Sequence, residues 1–170
     1  MKNEYFRRPA AALVWTLVAA GAVAPDLSVK RTLTLPGSPE ATWSVIADYC
    51  GVPKWSPAIA KCEITAGTAN RPGAVRVLTL KDGGALIREE LTSYDSKKRS
   101  YSYKILESPL PIASYAATLA VSPGTAGGSV VEWSSTFQAA PGADDAAARA
   151  VVEGIYDAGL ASLKAATAAK

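Results

Sequence analysis

The segment Leu27 to Leu35 alternates between apolar and polar residues. Leu27, Val29, Leu33 and Leu35 fall on one side, and Ser28, Lys30, Thr32 and Thr34 on the other. That period of two predicts a half-buried strand. Pro36-Gly37-Ser38-Pro39 interrupts it. Ser38 suits a helix N-cap, with Pro39 in the first turn and Glu40 next, and Trp43, Ile46 and Ala47 then recur at helical spacing. Gly51 and Pro53 end that helix, and residues 54–59 read as a short helical turn or loop. Further strands are predicted at 62–66, 74–81, 85–95, 99–108, 113–122 and 129–138. Asp82-Gly83-Gly84 reads as a tight hairpin turn, and Pro109-Leu110-Pro111 and residues 123–128 separate the later strands. Beyond Pro141-Gly142, Asp144 and Asp145 suit a helix N-terminus. Residues 145–168 are Ala-rich, with Val151, Val152, Ile155, Gly159, Leu160 and Leu163 on one stripe.

The order is one strand, a short helical pair, six strands and a long helix. It predicts an α+β domain over residues 27–168, a curved antiparallel sheet of about seven strands wrapped round the C-terminal helix. Side chains do not always fill such a sheet, and a cavity between helix and concave face is expected.

Residues 1–22 read differently. Lys2, Arg7 and Arg8 precede the apolar run from Ala10 to Ala24, and small-x-small triplets end at Ala22 and Ala24. This is the tripartite pattern of a secretory signal, with cleavage expected near Ala22 or Ala24. Fifteen residues reach only about 22 Å as a helix, short of a ~30 Å hydrocarbon core. The expected product is periplasmic or secreted and carries no membrane anchor.

Composition narrows the chemistry. The chain has no His, which removes Ser-His-Asp and Cys-His nucleophile systems and imidazole ligands. Two Cys cannot make a Cys-only zinc site, the acids are scattered, and no metal or cofactor is expected. Most of the +3 formal charge belongs to residues 1–22, and the remainder carries net +1 with no basic run, so nucleic acid is not an expected partner. In an oxidising compartment Cys50 and Cys62 can close a small loop or remain two thiols packed as small apolar groups.

Strand alternation identifies inward-facing groups. In 85–95 the apolar face is Ala85, Ile87, Glu89 and Leu91, which places a carboxylate on the buried side. In 74–81 Arg76 travels with Leu78 and Leu80. Tyr101, Tyr103 and Ile105 share a face of the next strand; Ala113, Tyr115, Ala117, Leu119 and Val121 of the one after; and Val131, Trp133, Ser135 and Phe137 of the last. Arg76 and Glu89 flank the hairpin and can meet. They are read either as a structural ion pair or as a polar anchor in an apolar pocket. Leu110, between two prolines at a strand end, reads as a rigid turn or a pocket rim. Gly154 and Gly159 in the last helix read as close packing or as space for a bound molecule. Val151 and Ile155 stand on the helix stripe expected to close the cavity.

These stretches resemble the START-like (SRPBCC, helix-grip) superfamily, and within it the polyketide cyclase/dehydrase group. The resemblance is carried by Thr42-Trp43-Ser44-Val45-Ile46-Ala47-Asp48-Tyr49, Lys54-Trp55-Ser56-Pro57 with Cys62-Glu63-Ile64, Pro72-Gly73-Ala74-Val75-Arg76, Glu90-Leu91 with Tyr94-Asp95, and Leu110-Pro111. It implies hydrophobic-ligand binding of the lipid-transport kind, with Arg76 and Glu89 facing the pocket. The exported branch that includes MxaD-type periplasmic proteins is similar, and it implies a periplasmic dehydrogenase as a possible protein partner. A cyclase or dehydratase would use Glu89 as general acid or base and Arg76 to stabilise an oxyanion.

Overall fold

The computed structural model describes residues 26–81 and 83–168, the last of these in its backbone alone. The proposed leader and Asp82 of the hairpin turn lie outside the described residues. The chain runs β1 (Leu27–Leu35), α1 (Pro39–Ile46), a 3₁₀ turn (Val52–Lys54), β2 (Ile59–Ala66), β3 (Val75–Leu80), β4 (Leu86–Asp95), β5 (Ser100–Glu107), β6 (Ile112–Pro123), β7 (Ser129–Ala139) and α2 (Asp145–Ala168). The seven strands form one antiparallel sheet in the order β1-β7-β6-β5-β4-β3-β2, with α2 packed across β1 and β7. The helix-grip architecture predicted from the pattern is the observed one.

Local chemistry accounts for the element boundaries. The Ser38 hydroxyl accepts from the Ala41 N–H at 3.2 Å, and Pro39 occupies the first turn, where its missing N–H costs nothing. The Asp144 carboxylate accepts from the Ala147 N–H at 3.0 Å and so caps α2. Strand β2 begins at Ile59, three residues before the start read from the sequence, because Ile59 pairs with Leu80. Along α2 the fully covered positions are Ala148, Val152, Tyr156, Leu160 and Leu163. Their spacings of three and four set the stripe that grips the sheet.

One irregularity matters for the interior. Strand β6 slips register against β7 between Ala113 and Ala116, and Ser114 has φ of 51°. This bulge places Ile112 and Tyr115 on the buried side, three residues apart. Strict alternation assigned Ala113 inward; the bulge makes Ile112 the cavity-facing residue and leaves Ala113 half-buried.

Several contacts fasten segment 47–58. The Tyr49 N–H donates to Asn70 Oδ1 at 2.7 Å. Cys50 and Cys62 are joined in a disulfide with Cα atoms 5.5 Å apart. Of the two readings left open by the sequence, the structure has the closed loop.

Candidate ligand cavity

A cavity of about 230 Å³ lies between the concave face of the sheet and α2, partly open to solvent. It exceeds the ~150 Å³ apolar void known to hold a benzene ring and approaches the ~300–1,000 Å³ of ligand pockets. Its wall is almost wholly apolar. Ile87, Ile112 and Val152 are covered parts of the wall, whereas Leu80, Ile105, Leu110, Val151 and Ile155 are half-exposed and form the rim.

Its charged wall residues are Arg76 and Glu89. They sit opposite each other in the β3–β4 ladder, 3% and 5% exposed. Arg76 Nε donates to Glu89 Oε2 at 2.6 Å, and Nη2 makes an ion-pair contact with the same oxygen, also at 2.6 Å. Arg76 Nη1 donates to the Tyr49 carbonyl oxygen. The guanidinium carbon lies 3.9 Å from the centre of the Tyr49 ring and 5.1 Å from that of Tyr103, so both rings attract the cation. Burial, the largest single influence, would depress the Arg76 pKa, but the Glu89 carboxylate and the Tyr49, Tyr101 and Tyr103 side chains together outweigh it, and the net direction is upward. The guanidinium therefore stays charged at any ordinary pH.

Aromatic side chains continue the floor. Trp133 Nε1 donates to the Tyr103 hydroxyl at 3.0 Å, and the Tyr115 and Tyr156 hydroxyls are 2.6 Å apart. Trp133 stacks on Tyr156 with centroids 4.1 Å apart, and Trp55 meets Trp133 edge-on at 5.7 Å. The Trp55 indole N–H is buried with no hydrogen-bond partner among the described residues.

Burial drives every phenol here upward. Tyr101 and Tyr156 are both pushed up to about 12, Tyr103 and Tyr115 are pushed well above 10, and Tyr49 is raised as well. A raised folded-state pKa stabilises fully below the unfolded value near 10, and that contribution is lost as pH rises through the folded value. The fold should therefore loosen between about pH 10 and 12. Absorbance at 295 nm should show these phenols ionising together with the loss of near-UV circular dichroism. Independent ionisation at pH 10 in a folded protein would contradict their burial.

Ten residues selected from the sequence border the cavity: Arg76, Glu89 and Leu78 from the β3–β4 hairpin, Tyr101, Tyr103, Tyr115 and Trp133 from the later strands, Leu110 from the proline turn, and Val151 and Ile155 from α2. Three do not. Ala117 and Ser135 face each other across β6 and β7 and are buried. Their short side chains are flanked by the rings of Tyr103, Tyr115 and Trp133, which border the void instead. Gly159 is a packing residue: a Cβ there would stand 2.9 Å from Trp133 Cζ3, so its missing side chain admits the indole rather than a ligand. Gly154 has open space around it.

Two aromatic wall residues escaped the sequence reading, as did Val52, Ser56, Ala58 and Ile59 around Trp55. Tyr156 follows Val152 by four residues and precedes Leu160 by four, so the α2 stripe carried a signal for it. Trp55 lies in an irregular segment, where no period could show its direction.

Comparison with known proteins agrees with the geometry. The pattern of the family described as "Polyketide cyclase / dehydrase and lipid transport" matches residues 26–168. MLP-like protein 423 of Arabidopsis thaliana is 29% identical over 106 residues, which covers 58% of this chain and 68% of that protein. The structure of the protein XoxI from Bacillus cereus superposes with a TM-score of 0.76 at 34% identity, covering 82% of this chain and 94% of the other. An uncharacterised protein from Bacillus thuringiensis gives 0.74 at 34% identity, covering 83% and 98%. A Nitrosospira multiformis protein, at 24% identity and a TM-score of 0.71 with coverage of 82% and 94%, shares the fold. With an antiparallel sheet closed by a C-terminal helix, a hollow between them and a family pattern spanning all but the ends, the chain belongs to the polyketide cyclase/dehydrase and lipid-transport family of the START-like SRPBCC superfamily.

Proposed function

We propose that the protein is exported and binds a small, largely apolar or amphipathic molecule in the cavity between the sheet and α2. The observation that carries this reading is a void of about 230 Å³ with aliphatic sides and a buried polar floor. Apolar walls remove most of a ligand from water, and a few convergent polar groups fix its orientation. Arg76, Glu89 and the phenols orient the ligand's polar end, while Leu110, Ile105, Val151 and Ile155 cover its apolar end near the mouth. Room for roughly ten to fifteen non-hydrogen atoms fits one or two rings or a short chain. The basic start and apolar run of residues 1–24 support export to the periplasm.

Native mass spectrometry on protein purified from its own host tests this. The expected spectrum contains a species heavier than the bare chain, whose excess mass is released on denaturation. A spectrum of bare chain only, together with no uptake of added hydrophobic probes, would overturn the reading.

A second reading, an accessory protein that docks on a periplasmic dehydrogenase, draws on two exposed leucines. Leu86 and Leu106 are 57% and 41% accessible. That role would use the exterior and be indifferent to substitutions inside the cavity.

A further inference from the structure

We infer that the cavity selects uncharged ligands bearing a hydrogen-bond acceptor, such as a ketone, aldehyde, ester or quinone, and rejects carboxylates, with Glu89 as the residue that sets this selectivity. This rests on the ligand-binding reading above and names the class of molecule bound.

The selection follows from how the wall's charges are paired. Among the described residues a single cation borders the cavity, and it is engaged within the protein through all three nitrogens: Nε and Nη2 on Glu89, and Nη1 on the Tyr49 carbonyl oxygen. Its π face is covered at 3.9 Å by the Tyr49 ring. A carboxylate entering the cavity would leave water and find the floor's one positive charge already neutralised at 2.6 Å. An ammonium group meets the converse problem, because the negative charge of Glu89 is already paired with the guanidinium at 2.6 Å. The floor is net neutral, and a ligand charge of either sign is desolvated without an open counter-charge.

The neutral groups favour an acceptor. Tyr101, Tyr103, Tyr115 and Tyr156 all line the cavity and remain protonated. Tyr115 and Tyr156 share one hydrogen bond, which occupies only one of their two protons. Tyr103 accepts from Trp133 Nε1 and directs its own proton toward Tyr115. The Trp55 indole N–H adds a donor with no partner among the described residues. The Trp55 N–H and the second proton of the Tyr115–Tyr156 pair are donors that a ligand's carbonyl oxygen can meet.

The test uses four probes on one skeleton: 2-ethylnaphthalene, 2-acetylnaphthalene, 2-naphthoate and 2-naphthylmethylammonium. Each is titrated into the mature protein at pH 7 and followed by tryptophan fluorescence and calorimetry. The ketone should bind about tenfold or more tighter than the carboxylate and the ammonium probe, and tighter than the hydrocarbon. Glu89→Gln frees the Arg76 guanidinium and should reverse the order of ketone and carboxylate. Should that variant fail to fold, the wild-type order decides alone. Wild-type protein that binds 2-naphthoate as tightly as the ketone, or a folded Glu89→Gln variant with an unchanged order, overturns the inference. Failure of all four probes, the hydrocarbon included, would instead strike the ligand-binding reading beneath it.

Discussion

Glu89→Ala should destabilise the protein by about 3–5 kcal/mol, the largest effect expected of a single substitution in the cavity wall. The carboxylate meets Arg76 Nε and Nη2, each at 2.6 Å, and both side chains are almost fully covered. Alanine would leave a guanidinium that still cannot lose its proton, held beneath α2 with the Tyr49 carbonyl oxygen, the Tyr101 hydroxyl and two aromatic rings but no counter-charge. Urea unfolding monitored by far-UV circular dichroism measures the cost. The paired replacement Arg76→Met with Glu89→Leu separates two causes. If the loss comes from an orphaned charge, the pair should return to within about 1 kcal/mol of wild type, because a buried ion pair is often no better than an apolar pair of like volume. A Glu89→Ala cost below about 1 kcal/mol would mean that water reaches the guanidinium and that the floor is wetter than its burial implies.

Opening the disulfide should be the next largest effect. Cys50 and Cys62 close a loop with a sequence separation of 12, for which chain entropy gives about 3 kcal/mol. For a domain of this size that is a fall in Tm on the order of 10 °C, read by scanning calorimetry of Cys50→Ala/Cys62→Ala or of protein with reductant. The bond also has a place in the site. Cys50 follows Tyr49, whose ring and carbonyl oxygen both contact Arg76, and Cys62 pairs across the ladder with Leu78 of the cavity wall. Loss of the bond should therefore weaken ligand binding as well as stability. An unchanged Tm would show that the Tyr49 N–H bond to Asn70 and the packing of Trp55 hold the segment without it.

Much of this arrangement is legible in the residue pattern alone. A carboxylate in phase with Ile87 and Leu91 has only one side to occupy, and a short hairpin brings it opposite an arginine in phase with Leu78. The same period places Tyr101, Tyr103 and Trp133 inside. What a period of two cannot reveal is a residue inserted into the ladder. The bulge at Ser114 exchanges Ala113 for Ile112, because a positive φ there re-aims everything before it. Nor does alternation report how long a neighbour is. Ala117 and Ser135 point inward, but larger rings beside them take the cavity surface. For Gly159 the sequence leaves packing and vacancy both open, and the 2.9 Å approach of Trp133 selects packing. Trp55 is invisible as a wall residue because a 3₁₀ turn and the bend after it have no repeating face.

The hollow itself is probed most directly by methyl NMR during a titration with 2-acetylnaphthalene. The resonances of Ile87, Ile105, Val152 and Ile155, which border the void on opposite sides, should shift together and saturate at one equivalent. The exposed Leu86 and Leu106 should stay still. Perturbation confined to those two outer leucines, or no saturable shift among the four interior residues, would contradict a ligand chamber beneath α2.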